Sequence, residues 1–215
     1  MGKRLEDFNL DDLFSALETN VKKDIVSFED LVDLDRSLKR ELYLGDIVDG
    51  IGTSIEGCIR FWNQQDEDKN IPIEKRKPIK IFINSPGGSL TETFTMIDAI
   101  SLSKTPVYTI ATGPAYSGGF FTFIAGHKKF AYPHASFLYH EGSVGNAADA
   151  SKFRNFADFY SKQLNQLKDI TLKYTKITPE EYQEHIKDDW WFTAEEALKY
   201  GICDVIIGEK NNGYN

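Results

Sequence analysis

The sequence predicts an α/β domain in which strands and helices alternate through the middle of the chain. The apolar runs IKIFIN at 79–84 and PVYTIAT at 106–112 are typical of buried strands. Between them, LTETFTMIDAISL at 90–102 has the apolar spacing of a helix. This alternation predicts an α/β domain with crossover connections.

Length and composition favour one soluble domain. A chain of 215 residues can bury a sizeable core, and its apolar content of 41% is ordinary for a globular protein. The longest apolar runs are too short and broken to span a bilayer, and the N-terminus turns acidic without the apolar core of a secretion signal. We therefore expect a cytoplasmic protein, with Cys58 and Cys203 as core residues in a reducing compartment.

The charge pattern argues against nucleic acid as a partner. The net charge is −8, and the one dense basic run, Lys75–Lys77, has acidic neighbours in a charged stretch at 66–78 that predicts a loop. The sequence contains no cluster with metal-ligand spacing, so we expect no metal and no bound cofactor.

The remaining elements follow from similar patterns. We predict an appendage at 1–34, a compact domain at 35–209 and a tail at 210–215. Thr178, Pro179 and Glu181 form a helix-start signal with a capping box. Other predicted helices lie at 50–64, 147–175 and 194–201, and other predicted strands at 41–45, 129–132, 136–140 and 203–207.

The stretch TGPAYSGGFFTFIAG at 112–126 predicts a turn that runs into a helix, with Ser117 at the helix start. Unpaired N–H groups at such a start would stabilise an oxyanion, so Ser117 is a candidate nucleophile and the N–H of Gly118 a candidate donor. The stretch fits equally a helix with small residues at a close crossing, and by itself it leaves both interpretations open.

A serine nucleophile needs a base, and His140 is the best-placed histidine because it ends the predicted strand SFLYH. A structural role for His140 remains open at this point. His127, His134 and His185 lie in polar turns or on a charged helix face, where we expect exposure. The turn NSPGGS at 84–89 also follows a buried strand and could supply the second oxyanion donor.

Four blocks in this order resemble the proteolytic subunit of the ATP-dependent Clp protease (ClpP) family: FINSPGGSLTETFTMIDAI, GPAYSGG, FLYHEG and DDWWFTAEEALKYGICD. Their spacing and flanks agree from about Arg36 to Ile207. Together they are highly specific for the ClpP/crotonase-type fold. The resemblance implies a spiral of β-β-α units with a protruding handle helix at 147–175.

The resemblance also implies site residues. Ser117 matches the family's nucleophile, His140 its histidine, and Asp189 the aspartate that precedes the block reading WFTAEEA here, with Asp188 as the competing acid. The implied oxyanion donors are Gly88 and Gly118. The substrate chain would lie extended between two segments, one containing Ser89 and Leu90 and the other Ser143 and Val144.

The implied function is a serine endopeptidase in stacked heptameric rings, degrading unfolded polypeptides that an ATP-driven AAA+ unfoldase delivers. Three alternatives remain. The SGGFF run is similar to the signal peptide peptidase family, which pairs its serine with a lysine. A crotonase-type acyl-CoA enzyme would use the same oxyanion hole, and a catalytically silent ring subunit would keep only the fold.

The sequence departs from the family pattern at several positions. Tyr116 precedes the serine and Gly118 follows it, where alanine and methionine are usual. Glu141 follows the histidine. Lys80 replaces a common aromatic residue beside the longer loop at 65–78, and residues 1–34 do not resemble the family's N-terminal segment. The last two departures leave open whether an unfoldase docks, and they do not touch the peptidase chemistry.

Overall fold

The computed structural model describes residues 28–142, 145 and 149–208, which form an α/β domain as the sequence predicts. The strands are β1 (Glu41–Leu44), β2 (Ile79–Ser85), β3 (Val107–Tyr116), β4 (Lys128–Ala131), β5 (Ser136–Tyr139), β6 (Trp190–Thr193) and β7 (Val205–Ile206). The helices are α1 (Phe28–Lys39), α2 (Ile51–Asp68), α3 (Leu90–Leu102), α4 (Gly118–Ile124), α5 (Ala150–Tyr174), α6 (Pro179–His185) and α7 (Ala194–Lys199), with a 3-10 turn at Ile73–Lys75.

The strands form one sheet in the order β1-β2-β3-β4-β7, and all pairings along this path are parallel. The second half of β3 pairs in parallel with β5, and β6 pairs antiparallel with β5. Parallel neighbours need crossover connections, and helices supply most of them here. The alternation in the sequence therefore predicted the sheet type correctly.

Most predicted elements are confirmed within a few residues, and the differences have physical reasons. Helix α2 continues to Asp68, into the stretch predicted as a loop, because the buried Asp66 anchors its last turn. Strand β6 was not predicted, although the buried Phe192 lies between more exposed neighbours as in a half-buried strand.

The segment GPAY is strand and not the predicted turn. Strand β3 continues to Tyr116 because Pro114–Tyr116 pair with Ser136–Leu138 of β5. The capping box of Thr178 and Glu181 is present at the start of α6, as predicted.

The long predicted helix begins at Ala150, while 147 and 148 lie outside the described residues. Helix α1 crosses the predicted domain boundary at 34, and 1–27 and the predicted tail lie outside the described residues. The boundary itself stays a prediction.

The core lies between the sheet and its helices. Side chains on one face of β2 are fully buried, and every residue of α4 is buried. Helix α4 carries the aromatic residues Phe120, Phe121 and Phe123, which pack against strands β5 and β6. The turn at Ser117 is therefore anchored in the centre of the domain.

A buried ion pair fixes β1 to the end of α2. Both terminal guanidinium nitrogens of Arg40 donate to Asp66, at 2.7 and 2.8 Å, and Arg40 also donates to the carbonyl of Lys77. The hydroxyl of Thr105 donates to the same carboxylate at 2.8 Å. Burial alone would raise the pKa of Asp66, but the hydrogen bonds from Arg40 and Thr105 outweigh it and hold that pKa below its usual range.

We expect Asp66→Asn to lower the free energy of unfolding by about 3 kcal/mol at pH 7, because it leaves the buried Arg40 charge unpaired. The pKa of Asp66 is depressed, so its stabilisation is complete above the unfolded-state pKa of about 3.9 and is lost as the pH falls through the folded-state value. The difference between wild type and variant in urea unfolding should therefore shrink in acid.

The matched control is Asp68→Asn, which removes an exposed carboxylate from the same helix end. It should change the free energy by no more than about 0.5 kcal/mol. Equal losses for the two variants would contradict a stabilising role for the buried pair.

Candidate active site

The three residues of the predicted triad lie directly at the ends of three adjacent strands. Ser117 follows β3, His140 follows β5, and Asp189 precedes β6. Tyr116 pairs with Leu138, and Tyr139 pairs with Trp190. Neighbouring strands are about 4.8 Å apart. Continued by one residue, this register sets His140 opposite Asp189 and sets Ser117 beside Tyr139, so the three residues lie in one row of strand ends, which we call the strand-end row.

The row brings His140 and Asp189 together. Nδ1 of His140 lies 3.6 Å from Oδ1 of Asp189, and the two side chains are 29% and 61% exposed. This separation is longer than a hydrogen bond. Within the described part of the chain, the Ser117 hydroxyl makes no hydrogen bond, and catalytic hydrogen bonds are often long before substrate binds.

Ser117 has an unusual backbone conformation. Its φ is 52° and its ψ is −120°, a sparsely populated region for any residue with a side chain. Its N–H donates to the carbonyl of Leu138 at 2.9 Å, which holds the turn against β5. Strain of this kind is concentrated at functional sites, so the conformation supports a functional role for Ser117.

The SPGG turn lies directly against Ser117. A Cβ atom on Gly87, whose φ is 101°, would lie 2.7 Å from the Ser117 Cβ and 3.1 Å from the Gly118 nitrogen. Gly88 has a φ of 145°, and a Cβ there would overlap the carbonyl of Ile47. The sequence indicated the paired glycines and named Gly88 as the donor, and the structure adds that both the φ of Gly87 and its contact with Ser117 exclude a side chain there.

The two predicted oxyanion donors are close to each other. A Cβ atom on Gly118 would lie 3.6 Å from the nitrogen of Gly88. The bridge between Ile47 and Gly88 uses the carbonyl of Gly87 and the N–H of Ser89, and it leaves the Gly88 N–H outside the pairing. Gly118 is the first residue of α4, where the helix provides no acceptor for its N–H.

The predicted substrate-binding residues differ in how many of their hydrogen-bonding groups are already used within the domain. The main-chain N–H of Ser89 donates to Ile47, its carbonyl accepts from Thr93, and its hydroxyl caps α3. Leu90 is the first residue of α3 and is half-buried against the core. Ser143 and Val144 lie outside the described residues.

Tyrosines hold the strand end that carries His140. The buried hydroxyls of Tyr139 and Tyr182 contact each other, and burial raises the pKa of both groups. The carbonyl of Glu141 accepts from Tyr160 of α5 at 2.8 Å, which ties the residue after His140 to the long helix.

The other three histidines lie outside the strand-end row. His127 accepts from the N–H of Val107 at 2.9 Å through Nδ1, and His134 is exposed. His185, expected to be exposed, is half-buried and stacks on Trp190 with ring centroids 4.2 Å apart. Of the four histidines, only His140 lies in the strand-end row.

No helix among the described residues combines the length and apolarity needed to cross a bilayer. The same residues contain no group of three or more histidine, cysteine or acidic side chains arranged to hold a metal ion.

Comparison with known proteins agrees with this fold. The Clp protease family model matches residues 71–210. The ATP-dependent Clp protease proteolytic subunit 2 of Nocardia farcinica is 32% identical over 137 residues, which are 63% of this chain and 68% of that protein. The proteolytic subunit 1 of Streptomyces coelicolor is 38% identical over 133 residues, 61% of each chain.

These matches define the class as a hydrolase, specifically a serine endopeptidase. The chain belongs to the Clp protease family, and the expected ClpP-type fold is confirmed. The family match begins at 71, so α1, β1 and α2 precede the matched part.

We expect Gly88→Ala to lower the free energy of unfolding by at least about 2 kcal/mol, because the new Cβ overlaps Ile47 and the φ of 145° strains any side chain. The change also moves the Gly88 N–H, so turnover of an unfolded peptide should fall with it. Gly45→Ala is the control, because a Cβ there has no atom within 4 Å. If both variants unfold alike, Gly88 is not sterically constrained as described.

Proposed function

We propose that this chain is the peptidase subunit of a ring protease that degrades unfolded polypeptides in the cytoplasm by a Ser117–His140–Asp189 acyl-enzyme mechanism. The observation that carries the proposal is the row of these three residues at adjacent strand ends. Family membership supports the same reaction class.

In this mechanism His140 takes the proton of the Ser117 hydroxyl as the oxygen attacks the scissile carbonyl. The imidazolium then passes that proton to the leaving amine, and the acyl-enzyme is hydrolysed by water. Asp189 orients the imidazole through Nδ1 and stabilises its charge. The 3.6 Å separation of His140 and Asp189 is short enough to close by a small side-chain movement.

The N–H groups of Gly88 and Gly118 stabilise the oxyanion. The Gly88 nitrogen lies 3.6 Å from where a Cβ on Gly118 would be, and the Gly118 nitrogen lies 3.1 Å from where a Cβ on Gly87 would be. Removing one such donor typically costs about 3 kcal/mol of transition-state stabilisation. Substrate would lie extended between the segment Gly88–Leu90, which includes Ser89, and the segment that contains Ser143 and Val144.

Assembly into stacked heptameric rings would enclose these sites and protect folded proteins from them. Phe153 and Phe159 of α5 are 48% and 56% exposed, which supports a role of this helix as an interface. The relatives are named ATP-dependent, and by analogy we propose an ATP-driven unfoldase as the partner that supplies unfolded chains.

One alternative is a catalytically silent ring subunit. It is favoured by the absence of a hydrogen bond at the Ser117 hydroxyl within the described residues and by the long contact between His140 and Asp189. Apo geometry does not exclude activity, so the experiment must decide between the two functions.

The assembled wild-type protein should react covalently with a fluorophosphonate probe at Ser117, and Ser117→Ala should abolish the labelling, because only an activated serine attacks this probe. Ser54→Ala, on the exposed face of α2, should label like wild type. Unlabelled wild type would favour the silent subunit. Light scattering on the same sample tests the ring, and a stable monomer would contradict it.

Asp189→Asn should lower peptide turnover by at least about 100-fold, because the imidazole loses the carboxylate that orients it. The neighbouring Asp188→Asn is the matched control and should leave turnover within about twofold, since the 3.6 Å contact of the His140 Nδ1 is with Asp189. The reverse order of effects would assign the acid to Asp188. Turnover is measured with an unfolded peptide substrate.

A further inference from the structure

Thr93 occupies the space that a side chain at position 118 would need. A Cβ atom on Gly118 would overlap Oγ1 of Thr93, and the next atom, Cδ1 of Ile47, is 3.0 Å away. Thr93 is completely buried and Gly118 is buried, so neither can move toward solvent. The N–H of Gly118 therefore lies at a position that Thr93 limits from one side.

The same side chain is hydrogen-bonded to the SPGG turn, which contains the other proposed oxyanion donor. Oγ1 of Thr93 donates to the carbonyl of Ser89 at 2.9 Å, and the main-chain N–H of Thr93 donates to the same carbonyl at 3.0 Å. Ser89 directly follows Gly88, and its own N–H is fixed to Ile47 at 2.8 Å. Thr93 thus contacts one donor residue and holds the neighbour of the other.

We propose that Thr93 is a positioning residue that sets the spacing between the N–H groups of Gly88 and Gly118, and that Thr93 and Gly118 are functionally coupled. The proposal rests on the proposed function, because it assigns Thr93 to the same oxyanion site. Thr93 touches no reacting atom. It acts on the reaction only through the placement of the two amides.

This coupling has a chemical reason. An oxyanion donor must lie about 2.7–3.1 Å from the developing charge, and a donor pushed outside that range loses most of its effect. A methyl group at 118 can be accommodated only if α4 shifts away from α3, and that shift moves the Gly118 amide. Removing Thr93 leaves room for the methyl group but also removes the bond to Ser89.

The experiment is a double-mutant cycle on the full chain, with kcat and KM measured on an unfolded peptide. We expect Thr93→Ala to lower kcat about tenfold and Gly118→Ala about 100-fold, with KM nearly unchanged, because the interaction is made in the transition state. The double variant should lose only about tenfold, like Thr93→Ala alone. A loss of about 10³-fold, the product of the two single effects, would overturn the coupling.

Two further variants separate positioning from general packing. Thr93→Ser keeps the hydroxyl and should retain kcat within about twofold, whereas an equal loss for the serine and alanine variants would overturn the role of Oγ1. Thr95→Ala removes a hydroxyl that bonds four residues back on the same helix, at 3.1 Å to Thr91, and it should leave kcat unchanged. Should Gly118→Ala fail to fold, this comparison still tests Thr93.

Failure of the proposed peptidase function can be distinguished from failure of the coupling between Thr93 and Gly118. If wild type is unreactive toward the fluorophosphonate probe, the peptidase assignment fails before the cycle is measured. The thermal unfolding midpoints of wild type, the two single variants and the double variant still test the predicted overlap between Thr93 and a methyl group at position 118. Gly118→Ala should unfold at a lower temperature than wild type, and the added Thr93→Ala should reduce that deficit; independent effects on the midpoint would overturn the contact.

Discussion

Strand β3 changes its hydrogen-bonding partner half-way along, and the candidate site depends on that change. Its first half pairs with β4, whereas Pro114–Tyr116 pair with β5. The change occurs around Gly113, where a Cβ would lie 2.9 Å from the side-chain oxygen of Asn84. Strand β5 pairs with the second half of β3, and β6 pairs with β5. The ends of these three adjacent strands therefore bring together residues that are far apart in sequence.

The strained turn at Ser117 is held by the burial of the helix that follows it as well as by its hydrogen bond to Leu138. Its conformation costs about 1–3 kcal/mol, and burial of one large apolar side chain contributes about 1.5–3 kcal/mol. Helix α4 buries several such side chains immediately after the turn. Phe120 contacts Tyr139 and Phe192, so the same packing also positions the strands that carry His140 and Asp189.

Local patterns predicted most of the fold, because buried strands and amphipathic helices leave a periodic apolar signal. The helix at 90–102 was predicted to the residue. What failed depends on distant partners: β6 exists through its antiparallel pairing with β5, and the end of α2 is set by an ion pair between Arg40 and Asp66. Ser117 at a predicted helix start and His140 at a predicted strand end were candidates from local patterns, whereas Asp189 needed the resemblance, because an acid beside two tryptophans has no local signature. Thr93 gave no signal, since only the fold brings it against Gly118.

The solvent exposure of Asp189 determines how strongly its carboxylate can interact with His140. Two unit charges 4 Å apart attract by about 1 kcal/mol in water and by about 4 kcal/mol at the effective dielectric constant of a protein surface. With 61% of its side chain exposed, Asp189 would attract a protonated His140 under conditions close to the weaker limit. A neighbouring subunit that excluded water from this strand end would strengthen the interaction without rearranging the fold. An enclosed assembly and an ordered triad would then have the same physical cause, namely the removal of water from the edge where β3, β5 and β6 meet.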